Sequence, residues 1–266
     1  MVNTFYDYTT VTETPDTQAP KEQLDRLYTR YKFVQEYCRN KDVLEVACGS
    51  GQGLGLLASY ARSVVGTDIN ANNLGYAQKR YQGNNKIRLQ LLDAHDLTFA
   101  DGQFDIVILY EAIYYLEAPD IFIKEASRVL RPGGMIFICT ANKDWPEFNP
   151  SPYSRRYFSV PELAAFLKNW GFGNISMYAS HETNRNYLKD KIIAFVKRIA
   201  VKLHLIPKTM KGKELFKRLF FGRLYPIPAE ITEGMFEYNK PITISKDSPQ
   251  PNYKVIYAVA TKTNGR

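Results

Sequence analysis

The chain reads as an α/β protein with a doubly wound, mostly parallel sheet of seven strands and an insertion between the last two. Three observations predict that class. Short apolar runs recur at about 42–47, 63–68, 87–92, 104–109 and 135–140. Dense runs of this length suit strands covered on both faces. Amphipathic segments separate them, and parallel neighbours need such crossovers. The first run continues into glycines, as V-L-E-V-A-C-G-S-G-Q-G over 43–53, which is the pattern of a buried strand, a tight turn and a helix.

Residues 1–19 are polar and Thr-rich and are expected to form an irregular arm. Pro20 can open a helix, and Leu24, Leu27, Tyr28, Tyr31 and Val34 keep helical spacing through about Arg39. After the glycine turn a helix is expected to about Arg62, then a strand ending at Asp68. Asp68 stands 19 residues after Gly49, where an acid can accept hydrogen bonds from both hydroxyls of a ribose. Asn70 can cap a helix to about Tyr81. A third strand over 87–92 leads to Asp93. Residues 104–109 form the central fourth strand, and Tyr110 to Tyr115 follow at its carboxyl end, where open parallel sheets bind ligands. Pro119 opens a helix to about Leu130, Arg131-Pro132-Gly133-Gly134 makes a turn, and 135–140 is the fifth strand. The connection 142–158 is long for a compact domain, which favours a substrate loop. Ser159 to Glu162 is a capping box. Residues 172–179 and 252–261 read as a closing antiparallel pair. The division is an arm at 1–19, a main domain at 20–180 and 252–266, and an insertion at 181–251.

Hydrophobic residues make up 45% and charged residues 23% of the 266, an ordinary globular balance. No run of 18 apolar residues suggests a membrane span, and the N-terminus has no secretory pattern, so a cytoplasmic protein is expected. Cys38, Cys48 and Cys139 read as reduced core residues, and neither they nor the three histidines have metal-ligand spacing. No metal is expected. The insertion carries the basic charge: residues 187–223 contain eleven Lys/Arg and two acids, a net of +9 against +8 for the whole chain. Ile192, Val196, Ile199 and Leu203 line one helical face there, with Lys191, Arg198 and Lys202 opposite, a pattern associated with anionic surfaces.

The succession E-V-A-C-G-S-G, G-T-D, D-A-H-D-L, F-D-I-V-I-L-Y-E-A and R-V-L-R-P-G-G resembles the class I S-adenosylmethionine (SAM) methyltransferases over about residues 20–180. The resemblance implies their Rossmann-like fold, SAM as cofactor and S-adenosylhomocysteine (SAH) as product. It implies a cofactor site of Tyr31, Glu45, Ala47, Gly49, Gly51, Asp68, Ile69, Asp93, Ala94 and Tyr110. Arg30 and Tyr31 would wall the methionine carboxylate, Asp68 would hold the ribose, and Asp93 with Ala94 would frame the adenine. His95 reads as a surface or pocket-wall residue. Ala47 departs from the family, which usually has glycine there; because alanine is small, only a modest effect is expected.

The later N-P-S-P-Y-S-R-R-Y-F-S-V-P-E-L resembles methyltransferases of sugar and cell-envelope polysaccharide biosynthesis. The expected activity is methyl transfer to a small-molecule acceptor, a sugar hydroxyl or lipid-linked sugar. Tyr114, Tyr115, Asn142, Asn149, Tyr153 and Arg155 are the acceptor-side candidates. A hydroxyl is a poor nucleophile, so a base is needed; Glu111 is the first candidate and His181 the second. The insertion is expected to be a lid, with peripheral contact to an anionic membrane at its inner face. An RNA acceptor and a non-catalytic SAM-binding module are the alternatives. Nucleic acid ranks lower, because basic charge alone is nonspecific.

Overall fold

The protein is described from a computed structural model, over residues 13–15, 17–151, 153–183 and 223–263. The basic helix expected at 188–203 and nearly all of the segment 208–223 lie outside the described residues. In chain order the elements are β1 (Gln18–Pro20), α1 (Lys21–Gln35), β2 (Asp42–Val46), α2 (Leu54–Ala58), β3 (Ser63–Asp68), α3 (Ala71–Arg80) and β4 (Ile87–Leu91). Then come β5 (Phe104–Tyr110), α4 (Pro119–Val129), β6 (Leu130–Ala141), α5 (Val160–Asn169), β7 (Phe172–Glu182), β8 (Leu224–Pro226), β9 (Ile242–Ile244) and β10 (Tyr253–Lys262).

The main sheet has the order β4-β3-β2-β5-β6-β10-β7-β9. Strands β2 to β6 run parallel, and β10 lies antiparallel between β6 and β7. This is the doubly wound sheet expected from the sequence, with eight strands in place of seven. The additional strand, β9, comes from the insertion and pairs with β7 through Met177↔Ile244 to Ala179↔Ile242. Its three residues are too few to show a period, so sequence pattern alone could not mark it. Val43, Leu44, Val64, Val107, Ile108 and Leu109 are fully enclosed, so the central strands are apolar on both faces.

Several boundaries differ from expectation: α1 ends at Gln35, short of Arg39, and β7 runs on past 179 to Glu182. Helix α2 ends at Ala58, short of Arg62. Leu130 to Ala141 is one strand: Phe104 pairs with Leu130 and Ile106 with Met135, so Arg131 to Gly134 bulge from the ladder. Gly133 there has φ +74°, which glycine adopts without steric cost. Tyr110 is the last residue of β5, not the first of the loop. The caps behave as read. The Asn70 side chain accepts from the N–H groups of Asn72 and Asn73, and Ser159 and Glu162 form the reciprocal capping box of α5.

The end of the arm is ordered by pairing: Gln18–Pro20 forms a two-stranded ladder with Leu224–Pro226. From there the insertion runs along α1. Gln35 Nε2 donates to Glu233 (2.9 Å), Gly234 N to Tyr28 Oη (2.9 Å) and Asn239 N to Thr29 Oγ1 (3.2 Å). Helix α1 is thus held between the sheet and the described part of the insertion.

Candidate functional site

Strand order reverses between β2 and β5, which places a crevice beyond their carboxyl ends. The glycine turn opens it. Ala47, Gly49 and Gly51 have φ of +56°, +58° and +71°. The turn therefore needs left-handed backbone at Ala47, where an L-residue is strained by roughly 1–2 kcal/mol. The consequence of alanine at this place is conformational, not a matter of size as the sequence reading has it. A Cβ on Gly51 would stand 2.7 Å from that of Ala77, and one on Gly53 would stand 2.1 Å from the Tyr31 ring. The backbone is close-packed here because the side chains are missing.

Asp68, at the end of β3, accepts from Gly49 N and Asn70 N, both at 2.8 Å. It thereby fixes the turn, and burial raises its pKa despite those two bonds. Glu45 is buried at the end of β2. Its Oε1 accepts from Tyr31 Oη at 2.7 Å, while Oε2 is enclosed without a partner. Burial pushes its pKa up to about 7, against the opposing effects of Tyr31 and Arg30. Tyr110 packs edge-on to Tyr31, with centroids 5.7 Å apart, and its hydroxyl is enclosed without a partner. Ile69 is half exposed beside Asp68.

Beyond β4, Asp93 Oδ1 accepts from His95 N (2.9 Å) and meets His95 Nδ1 at 2.6 Å. His95 Nε2 accepts from Ala118 N, so the proton sits on Nδ1 and points to Asp93. His95 is therefore a wall that shapes the Asp93 turn, and Ala94 behind it is buried.

Glu111, one residue past β5, has φ +51°. Such strain in a non-glycine residue is often found at functional sites. Its Oε2 accepts from Tyr114 Oη at 2.9 Å, and Cys139 Sγ lies 3.8 Å from Oε1. Burial raises its pKa, partly countered by Arg30 and by the Tyr114 bond. Tyr114 stacks on Tyr157 (4.5 Å, 24°), with Tyr115 and Phe148 edge-on to that pair. Arg155 N donates to Tyr114 O at 2.7 Å, so the 142–158 loop is tied to the carboxyl end of β5. Asn149, Tyr153 and Arg155 are exposed on it, Arg155 paired to Glu117 at 2.8 Å.

Asn142 does something else. It is fully buried, and its amide donates to the carbonyls of Gln250 and Tyr253, both at 2.8 Å. That amide ties the loop to β10 and is not presented to an acceptor. His181 has φ +58°, and burial pulls its pKa down to about 4. At neutral pH it is a weaker proton acceptor than Glu111. It lines a cavity of about 410 Å³ at the edge of the sheet, with Glu22, Glu182, Asn239, Lys240 and Lys254.

Sequence reasoning missed four contributors. Tyr81 donates to Gly51 O (2.9 Å) and accepts from Gly55 N (3.1 Å). The Glu230 carboxylate fills the space over Gly55. Tyr157 completes the aromatic stack, and Glu13 bridges Arg30 and the glycine turn. All four reach the site by tertiary contact, which leaves no local pattern.

The chemistry of these donors and acceptors fits SAM. The orphaned Glu45 oxygen suits an ammonium group, Asp68 a ribose, and the glycine turn a close approach of ligand to backbone. Residues 44–138 match the family described as a methyltransferase domain. A "Probable S-adenosylmethionine-dependent methyltransferase" of Mycolicibacterium smegmatis is 30% identical over 148 residues, 53% of this chain and 56% of that one. A fatty-acid O-methyltransferase of the same organism is 34% identical over 160 residues, 56% of each chain. A solved SAM-dependent methyltransferase of Thermotoga maritima shares the fold at TM-score 0.59 and 14% identity, covering 91% of this chain and 92% of that one. Residues 44–138 thus match a methyltransferase domain, the chain is similar to SAM-dependent methyltransferases, and its fold is the one that solved members share. It spans 56% to 60% of the length of the first curated relatives it matches. Among the described residues no helix is long and apolar enough to cross a membrane, and no cluster of His, Cys, Asp and Glu could hold a metal ion.

Proposed function

We propose that the protein is an enzyme that methylates a hydroxyl of a small polar acceptor, a sugar or lipid-linked sugar in glycan or cell-envelope biosynthesis. The observation that carries this reading is Glu111: a buried carboxyl at the carboxyl end of the central strand, held by Tyr114, with its pKa raised by burial. Amine acceptors need little help from a base, whereas a hydroxyl does. The fatty-acid relative is also named an O-methyltransferase.

Bound SAM would supply an electrophilic methyl group on a positive sulfonium, with the neutral thioether SAH as the leaving group. Glu111 takes the hydroxyl proton as the acceptor oxygen attacks, and Tyr114 fixes the carboxylate for it. Tyr31, Tyr110 and the glycine turn exclude water and align the reacting centres, the main source of rate in such a displacement. Tyr115 and the exposed Asn149, Tyr153 and Arg155 of the 142–158 loop would meet the acceptor. The insertion 181–251 would close over it as a lid, its basic part bringing the enzyme to an anionic membrane.

The test is to incubate the protein with methyl-labelled SAM and separate pools of nucleotide sugars, lipid-linked sugars, fatty acids and quinol precursors. Label is expected as a methyl ether in one of the sugar pools. Label confined to fatty acids or quinols would rule out the sugar reading.

A further inference from the structure

The arm residue Glu13 joins Arg30 to the glycine turn through both its side chain and its backbone. Its carboxylate accepts from Arg30 Nη2 (2.5 Å) and from Gln23 Nε2 (3.0 Å). Its carbonyl accepts from Ser50 Oγ (3.1 Å) and from Gln52 Nε2 (2.8 Å), both within the glycine turn. Ser50 and Gln52 are buried, and Ile231 N donates to Gln52 O at 2.8 Å. Four residues on, Thr17 O accepts from Ile227 N, and β1 begins its ladder with β8. The strap, described at residues 13–15 and 17–20, is thus anchored to the turn at one end and to the insertion at the other.

Arg30 gives the strap its meaning. It is 6% exposed, keeps its charge at any working pH, and its enclosed Nε has no partner in the protein. Glu13 is the carboxylate that neutralises it, and Glu111 lies close enough for its charge to be felt there. The order of the sheet says which end of the cofactor lies here. Asp93 follows β4, Asp68 ends β3 and Glu45 lies in β2, so adenine, ribose and amino acid follow in that order toward α1. Tyr31, beside Arg30, bonds to Glu45.

We propose that Glu13 is a positioning residue of the SAM site: it holds Arg30 and the glycine turn together and latches the strap over the amino-acid end of the cofactor. The proposal needs the SAM site alone and is independent of the acceptor. Two ligands separate a latch from a general support. SAH has the amino-acid end, and 5′-methylthioadenosine keeps adenine, ribose and sulfur but lacks it.

Calorimetry and stopped-flow dissociation on the full chain are expected to show that Glu13→Gln weakens SAH by roughly tenfold or more, the scale of one lost hydrogen bond to a charged group. Most of that loss should appear in the dissociation rate. Binding of 5′-methylthioadenosine should change by less than about twofold, and Glu13→Asp should recover part of the SAH affinity. Equal losses for both ligands, or no loss for either, would overturn the latch. Failure of the wild-type protein to bind SAH would instead overturn the SAM site itself. The wild-type chain provides a measurement that survives a variant that does not fold. SAH should slow amide exchange at Thr17 and Ala19, and 5′-methylthioadenosine should not; equal protection by both ligands contradicts the proposal.

Discussion

Asp68 holds the glycine turn, and we propose that it also holds the ribose of the cofactor. Its two oxygens are spent on Gly49 N and Asn70 N, and each oxygen keeps a further lone pair for a ribose hydroxyl. Asp68→Ala should weaken SAM binding by roughly 1.5–3 kcal/mol, the value of hydrogen bonds to a charged group, as read by calorimetry; unchanged affinity in a folded variant would remove Asp68 from the ribose site. Glu45 gives a pH signature. Its folded pKa of about 7 lies above the unfolded 4.5. Protonated Glu45 therefore favours the fold at low pH, and that contribution is lost as pH rises through 7. Glu45→Gln should make the cofactor-free protein more stable at pH 8 by roughly 1–3 kcal/mol, given 1.36 per pKa unit, and the advantage should vanish only below the unfolded value of 4.5. Equal denaturant midpoints of variant and wild type at pH 8 would contradict this. The place of Asp68 at the end of a strand beside the glycine turn could be read from its spacing to Gly49. The Tyr31–Glu45 bond could not, since it spans 14 residues and two elements.

The close fit of α1 on the glycine turn is a property of elements. With Gly53 against the Tyr31 ring, Gly53→Ala must displace either the helix or the turn. The expected result is about 1–3 kcal/mol of lost stability, the usual cost of overpacking, together with weaker SAM binding; a variant with wild-type melting and affinity would show that this contact yields freely. The long elements were legible because their periods are strong: the five parallel strands, α3 with its Asn70 cap and α5 with its capping box. What escaped were pieces whose structure is imposed from outside. Strand β1 and strand β9 have three residues each and exist only through their partners β8 and β7. The bulge at Arg131 to Gly134 reads as a turn in sequence because glycine and proline mark both.

For the whole molecule, the charge separates from the fold. The +9 over residues 187–223 leaves the remainder near neutral. If that segment carries the enzyme to anionic lipid, each Lys or Arg contributes about 1 kcal/mol near the surface. Cosedimentation with anionic vesicles should then fall with salt and drop when Lys191, Arg198 and Lys202 become Glu; no binding at low salt would leave the insertion as a lid alone. The central claim is that Glu111 takes a proton from an acceptor hydroxyl, and one comparison tests it most directly. With the acceptor from the labelled-methyl experiment in hand, turnover and SAM affinity of Glu111→Gln are measured beside the wild type. Turnover should fall by about 10²–10⁴-fold, the range for general-base catalysis, with SAM affinity nearly unchanged. Wild-type turnover in Glu111→Gln would contradict the account and leave alignment alone to explain the rate.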